Sequence, residues 1–184
     1  MAQFSRRRRM QEFESVALPH LHDLFRTAAR LLGDSVRADD VVQDVYLVAW
    51  KSFDTFEKGT NCRAWLFRIL FHKLRHYRRK WLNPREVHNA EEVIAEIMAA
   101  PPLAPGLTGE EVLAALAAVS EEYRAVVLLV DVEEFSYKDA AGILGIPVGT
   151  VMSRLSRARG MLRERLACLA GAHGIGCQME GKSA

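Results

Sequence analysis

The chain lacks long apolar runs. No stretch approaches the ~18 consecutive apolar residues that a membrane-spanning helix needs, so no membrane insertion is expected. Cysteine is scarce: Cys62, Cys168 and Cys177 are scattered, and no Cys-x-x-Cys pair occurs. That pattern argues against a disulfide framework and against a structural zinc site, and a reducing cytoplasm is the expected compartment. Neither a Gly-x-Ser-x-Gly elbow nor a glycine-rich phosphate loop is present, and His20 and His22 stand apart from other ligand types. No catalytic residue, metal or cofactor is therefore expected. Alternating strand patterns are nearly absent. The basic start, Arg6 to Arg9, is not followed by an apolar segment, so it does not read as a secretory signal.

What is present is helical periodicity in two blocks. Net charge is only +2 over 184 residues, so any nucleic-acid affinity must come from local patches. Four of the six prolines fall between 84 and 105. That stretch reads as a flexible linker, residues 83–107, with one helical piece near 90–99. It separates a block at 13–82 from one at 108–170. The Gly-rich end, 171–184, reads as a disordered tail. The expected fold is all-α: two small helical domains, the C-terminal one containing a helix-turn-helix.

That motif comes from FSYKDAAGILGIPVGTVMSRLSRAR. Ser136 can cap a short helix, with Asp139 reaching back to complete a capping box. Gly145 tolerates the left-handed backbone that ends a helix. Pro147 cannot continue a helix but can open one. Gly-Ile-Pro is thus a tight turn between two helices. In the second helix Val151, Leu155, Ala158, Leu162 and Leu166 form one apolar row, which must pack on helices carrying Leu113, Leu116, Val126, Val127 and Ile143. Thr150, Ser153, Arg154, Ser156 and Arg157 then face away, near the helix N-terminus, where recognition helices touch bases and phosphates. The plainer reading is a solvated amphipathic helix.

Two stretches stand out in the first block. In ADDVVQDVYLVAWKSF, Val42, Val45, Tyr46, Ala49 and Phe53 make one helical face. Asp40, Gln43, Asp44 and Leu47 lie along another, with Asp39 beside them. Such a face is either merely soluble or a dock for a basic partner. In CRAWLFRILFHKLRHYRRKWLNPR there are eight arginines and lysines and no acidic residue. Leu66, Ile69, Leu70, Leu74, Tyr77 and Trp81 supply a core stripe. Arg68, His72, Arg75, His76 and Arg79 fall opposite. Helices that are only solvated usually mix both signs, so a nucleic-acid face with exposed aromatics is the sharper reading.

The order and spacing of ADDVVQDVYLVAWKSFDTF, GTNCRAWLFRIL…HYRRK and the helix-turn-helix resemble a bacterial RNA polymerase sigma factor of the extracytoplasmic-function class of the sigma-70 family, over about residues 14–170. The resemblance implies a non-enzymatic initiation factor with core RNA polymerase and promoter DNA as partners. It also admits an inhibitory anti-sigma factor, which the family often has. Asp39, Asp40, Gln43, Asp44, Leu47 and Trp50 would dock on the polymerase. The loop 53–61, with Phe56, Gly59, Thr60 and Asn61, would trap a base flipped from the minus-ten element. Arg63, Arg68, His72, Arg75, His76 and Arg79 would meet minus-ten DNA and assist strand opening. Thr150, Met152, Ser153, Arg154, Ser156 and Arg157 would read the minus-thirty-five element. The family usually has Asn and Asp where this chain has His72 and His76. Arg6–Arg9 precede the matched region and could touch phosphate; Cys62 could sense oxidants or be an inert thiol.

Three other readings stay open on the residues alone. A helix-turn-helix activator would need a sensing pocket or phosphoacceptor within 13–82. An enzyme would need a catalytic constellation. An adaptor would need only the acidic helix.

Overall fold

The computed structural model describes residues 2–81 and 108–172, with side chains over 6–77 and 108–169. The linker expected at 83–107 and its helical piece near 90–99 lie outside the described residues, as do residues 173–184. Every regular element among the described residues is helical.

The N-terminal half is a four-helix arrangement: α1 (Ala2–Ala17), α2 (Leu21–Leu32), α3 (Ser35–Ser52) and α4 (Cys62–Trp81). Short polar residues set its joints. Gly33, at φ 67°, ends α2 by returning its N–H to the Ala29 carbonyl. Asp34 then caps α3 by accepting from the Arg37 N–H at 3.0 Å. Asn61 opens α4 the same way, its Oδ1 accepting from the Ala64 N–H at 3.0 Å. The block begins earlier than position 13. Residues 2–12 continue α1, because Phe13 and Ala17 on that helix are buried against the rest.

The core stripe of α4 is wider than the sequence suggests. Leu66, Leu70 and Leu74 are buried, but so are Phe67 and Phe71, while Ile69 and Tyr77 are only half-buried. The Trp81 side chain lies outside the described ones. Each leucine withdrawn fully from water contributes about 1.5–3 kcal/mol.

The C-terminal half holds α5 (Gly109–Ala117), α6 (Glu121–Val127) running into a π-type turn (Leu128–Val132), α7 (Tyr137–Leu144) and α8 (Val148–Ala172). Thr108 and Glu111 form a reciprocal capping box at the start of α5. Ser136 caps α7 by accepting from the Asp139 N–H at 3.1 Å. The Asp139 carboxylate returns to the Ser136 hydroxyl rather than to its backbone N–H. Gly145 adopts φ 68°. Both its N–H and that of Ile146 reach the Ala141 carbonyl, which closes the helix end. Val151, Leu155 and Ala158 are buried under α8, whereas Leu162 and Leu166 are half-buried. Gly171, expected to begin the tail, is still helical.

The two halves share one continuous apolar cluster. α4 packs on α7, and Phe67 meets Phe135 edge-on at 4.9 Å between ring centroids.

Candidate nucleic-acid and partner interfaces

The outer face of α3 is open. Asp39, Asp40, Gln43, Asp44 and Leu47 are all exposed. Leu47 keeps 58% of its surface in water and Val36, further up the same face, 70%. A groove beside them is lined by Leu18, Leu21, Phe25 and Val36, with Asp39 and Asp40 at its rim. The carboxylates differ in availability. Asp39 accepts from the Gln43 amide at 2.8 Å, and Asp44 pairs with Lys73 at 3.0 Å. Asp40 makes no bond among the described residues.

Trp50 departs from the expected docking set. Its ring is packed against Phe13 at 5.3 Å and lies under the Arg9 guanidinium at 4.5 Å. Arg9 also donates to the Trp50 carbonyl at 2.9 Å and pairs with Asp54 at 3.0 Å. α1 therefore covers Trp50. Arg9 is thus already bonded within the N-terminal half, while Arg6, Arg7 and Arg8 stay exposed.

The loop 53–61 is more built than a flexible trap. Phe53 is core, wedged against Phe13. Phe56 is half-buried against Trp65, 4.9 Å away. Glu12 of α1 anchors Lys58 at 2.5 Å. Gly59 takes φ 88° at the turn, where a Cβ would be strained. Thr60 donates its hydroxyl to the Glu57 carbonyl at 2.7 Å. The capping role of Asn61 occupies its side-chain oxygen and leaves the NH₂ group to offer.

On α4, Arg68, His72, Arg75 and His76 are exposed; Arg79 lies beyond the described side chains. His72 and His76 are one helical turn apart, yet no group of three potential metal ligands exists among the described residues. Among the described side chains of α4, no aromatic beside the arginines is fully exposed. Phe67 and Phe71 are buried, and Trp65 is half-buried with Phe56.

Arg63 is the largest departure from expectation. Its side chain is only 23% exposed. Its Nε donates to Asp23 at 3.1 Å and its Nη1 to the Glu133 carbonyl at 2.6 Å. Nη2 pairs with the Glu133 carboxylate. The guanidinium stacks over Phe135 and Phe67. Glu133 is buried and also accepts from the Thr27 hydroxyl at 3.1 Å. Burial pushes the Glu133 carboxyl above its ordinary range, against the pull of Arg63. Reading α4 by itself missed this, because the partner lies 70 residues away. Glu133 stands beside Asp131 and Glu134, so nothing in its own stretch singles it out. The Cys62 thiol is half-buried and pushed up by burial. That disfavours the reactive thiolate.

On α8 the first turns present Met152, Ser153, Ser156 and Arg157 to solvent. Thr150 is half-exposed, its carbonyl accepting from the Ser153 hydroxyl at 3.1 Å. Arg154 is tied to Glu122 of α6 at 2.6 Å.

The chain matches the family Sigma-70 region 2 over residues 17–83 and Sigma-70, region 4 over residues 109–162. It is 41% identical over 136 residues to the ECF RNA polymerase sigma factor EcfG of Rhodopseudomonas palustris, covering 73% of this chain and 74% of that protein. It is 30% identical to the ECF sigma factor SigE of Mycolicibacterium smegmatis, over 86% of this chain and 63% of that one. Among solved structures, the sigma factor RpoE of Bartonella quintana, in complex with the anti-sigma factor NepR, superposes with a TM-score of 0.69 at 37% identity, covering 85% of this chain and 98% of that one. CnrH in complex with the cytosolic domain of CnrY gives a TM-score of 0.64 at 28% identity, covering 86% of this chain and 90% of that one. The protein belongs to the extracytoplasmic-function class of the sigma-70 family. As a member it is a promoter-specific initiation factor that works with RNA polymerase and is not itself an enzyme. No helix among the described residues is long and apolar enough to cross a membrane.

Proposed function

We propose that the chain docks on core RNA polymerase through the outer face of α3 and reads the minus-thirty-five element with the first turns of α8. In the same reading α4 and the loop 53–61 engage and help open minus-ten DNA. The observation that carries this is the construction of α8. An apolar row buries Val151, Leu155 and Ala158, which fixes the helix rigidly. Its opposite side offers Ser153, Ser156, Arg157 and Met152 near the N-terminus. Small hydroxyls let the backbone approach DNA, and the helix dipole favours phosphate there.

Asp40 with Leu47 gives α3 a mixed acidic and apolar face, suited to a partner surface that is basic around an apolar centre. Trp50 supports that face from beneath. In the loop, the free NH₂ of Asn61 and the edge of Phe56 are the groups that remain to meet a flipped base. Unstacking costs a few kcal/mol, which such contacts must offset. Two relatives carry an anti-sigma factor or the cytosolic domain of a partner protein in their solved structures. A protein inhibitor of that kind is our reading for this chain as well, and the cytoplasm is its place of work.

Run-off transcription with core polymerase on a promoter library tests the whole reading. Arg157→Ala should change preference at the upstream element and leave the downstream one intact. Replacing the loop 53–61 should do the reverse. If neither change alters which promoters are selected, these surfaces are not the readers.

A further inference from the structure

We propose that α1 positions the minus-ten loop: Arg9 and Glu12 pin Asp54 and Lys58 on either side of Phe56, and so hold the loop 53–61 in the shape that receives a base. The inference rests on the reading of that loop as the base trap. α1 spans Ala2–Ala17 and the region 2 match begins at residue 17, so the helix stands ahead of the matched domain.

α1 is firmly mounted on α3. The Phe13 ring is lodged among Tyr46, Trp50 and Phe53, edge-on to each, with centroids 6.2, 5.3 and 5.2 Å away. The Tyr46 hydroxyl donates to the Ala17 carbonyl at 2.8 Å. Arg9 donates to the Trp50 carbonyl at 2.9 Å while lying over the Trp50 ring. From that mount two side chains reach the loop. The Arg9 Nε donates to Asp54 at 3.0 Å. Glu12, three positions on and so nearly one turn along the helix, accepts from the Lys58 ammonium at 2.5 Å. Asp54 and Lys58 each stand two residues from Phe56.

The backbone bonds of the loop are local. The Phe56 N–H donates to the Phe53 carbonyl at 3.1 Å, and the Thr60 N–H to the Glu57 carbonyl at 3.2 Å. They shape short turns without fixing the loop against the domain. That is left to side chains. Phe53 packs on Phe13, Phe56 stacks on Phe53 at 6.1 Å and leans on Trp65. Among the described residues, both ion pairs of the loop are to α1. The side chains of Asp54 and Lys58 are 73% and 71% exposed, and pairs so exposed add little to stability. Their loss leaves the fold standing and shifts the loop among its shapes instead. Affinity for the preferred base then falls with the fraction of molecules holding the right shape. Other bases do not use the pocket and bind as before, so discrimination at that position narrows.

The test uses the full chain with core polymerase on promoters randomised at the minus-ten element, the upstream element held fixed. Hydrogen exchange of the loop is measured beside it in the free chain. Glu12→Lys should narrow discrimination at one minus-ten position about two- to fivefold and raise exchange at the Phe56 and Thr60 amides. The thermal melt, core binding and upstream preference should stay as in wild type. Lys58→Glu should do the same, and the two changes together should restore both readings by rebuilding the pair reversed. Glu14→Lys makes the same charge change on an exposed α1 position, about 200° around the helix from Glu12, and should alter neither. If Glu12→Lys does not fold, Glu12→Gln takes its place.

Unchanged discrimination in a folded Glu12 variant overturns the proposal, whether or not exchange rises. So does an equal effect of Glu14→Lys. A doubly changed protein that behaves like Lys58→Glu alone also overturns it, since Lys58 would then act on DNA rather than through α1. Replacement of residues 54–60, with Phe53 kept for the core and Asn61 for the cap, separates the two readings. If it shifts the preferred base while the Glu12 variants do not, the loop reads DNA and α1 does not position it. If it shifts nothing, the loop is not the reader, and α1 has no recognition to position.

Discussion

Leu47→Ala gives the sharpest test of where the polymerase docks. Leu47 sits on α3 with 58% of its surface exposed, one turn beyond Asp44 and two beyond Asp40. Truncation there leaves no cavity in the free protein, so stability should change by less than about 0.5 kcal/mol. If docking buries what is now exposed, the loss follows from area. Full burial of a leucine is worth about 1.5–3 kcal/mol. Taking 58% of that gives about 0.9–1.7 kcal/mol for the part still available. The dissociation constant for core polymerase should rise roughly 5- to 20-fold. The assay is a titration of labelled protein with core enzyme, beside a thermal melt. An unchanged dissociation constant, with the melt also unchanged, would remove this face from the interface.

Charge at the same face should follow availability. Asp40→Lys should weaken core binding more than Asp39→Lys or Asp44→Lys, because Asp39 and Asp44 must first give up Gln43 and Lys73; equal effects in the same titration would count against this. On α8, Arg157→Ala should cost about 1–3 kcal/mol and relax selectivity at one upstream position if it touches a base. It should lower the salt slope by about one if it touches phosphate, and gel-shift titrations on wild-type and randomised upstream elements separate these from no contact at all. The raised pKa of Glu133 gives a signed pH effect. The folded chain binds this proton more tightly than the unfolded chain, so its contribution is full below the ordinary value of 4.5 and is lost as pH rises through the folded value. Gln stays neutral throughout, so the melting temperature of Glu133→Gln relative to wild type should climb as pH rises above the ordinary carboxyl value. A constant gap would show that burial does not raise this group; His20 titrates nearby but is common to both proteins.

Much of the fold was legible because its signals are local. Ser136, Gly145 and Pro147 punctuate the helix-turn-helix within a dozen residues, and the row Val151, Leu155 and Ala158 repeats at helical spacing. The acidic face of α3 was legible for the same reason, since exposure follows directly from periodicity. The aromatics were harder. Phe56, Phe67 and Trp65 look alike in a string whether they face water or one another. Only their packing, Phe56 on Trp65 and Phe67 on Phe135, shows which. Trp50 entered the docking set through the family resemblance; that an arginine 41 positions earlier packs on it is not legible in its own stretch.

Arg63 shows the limit more sharply. A cation at the start of a basic, acid-free helix reads as part of that helix's charge, and its nearest sequence neighbours offer no counter-ion. Glu133 reads as one of several acids ahead of Ser136. Each residue is ordinary in its own stretch, and the information lies in the pairing, which only the packing of the two halves creates.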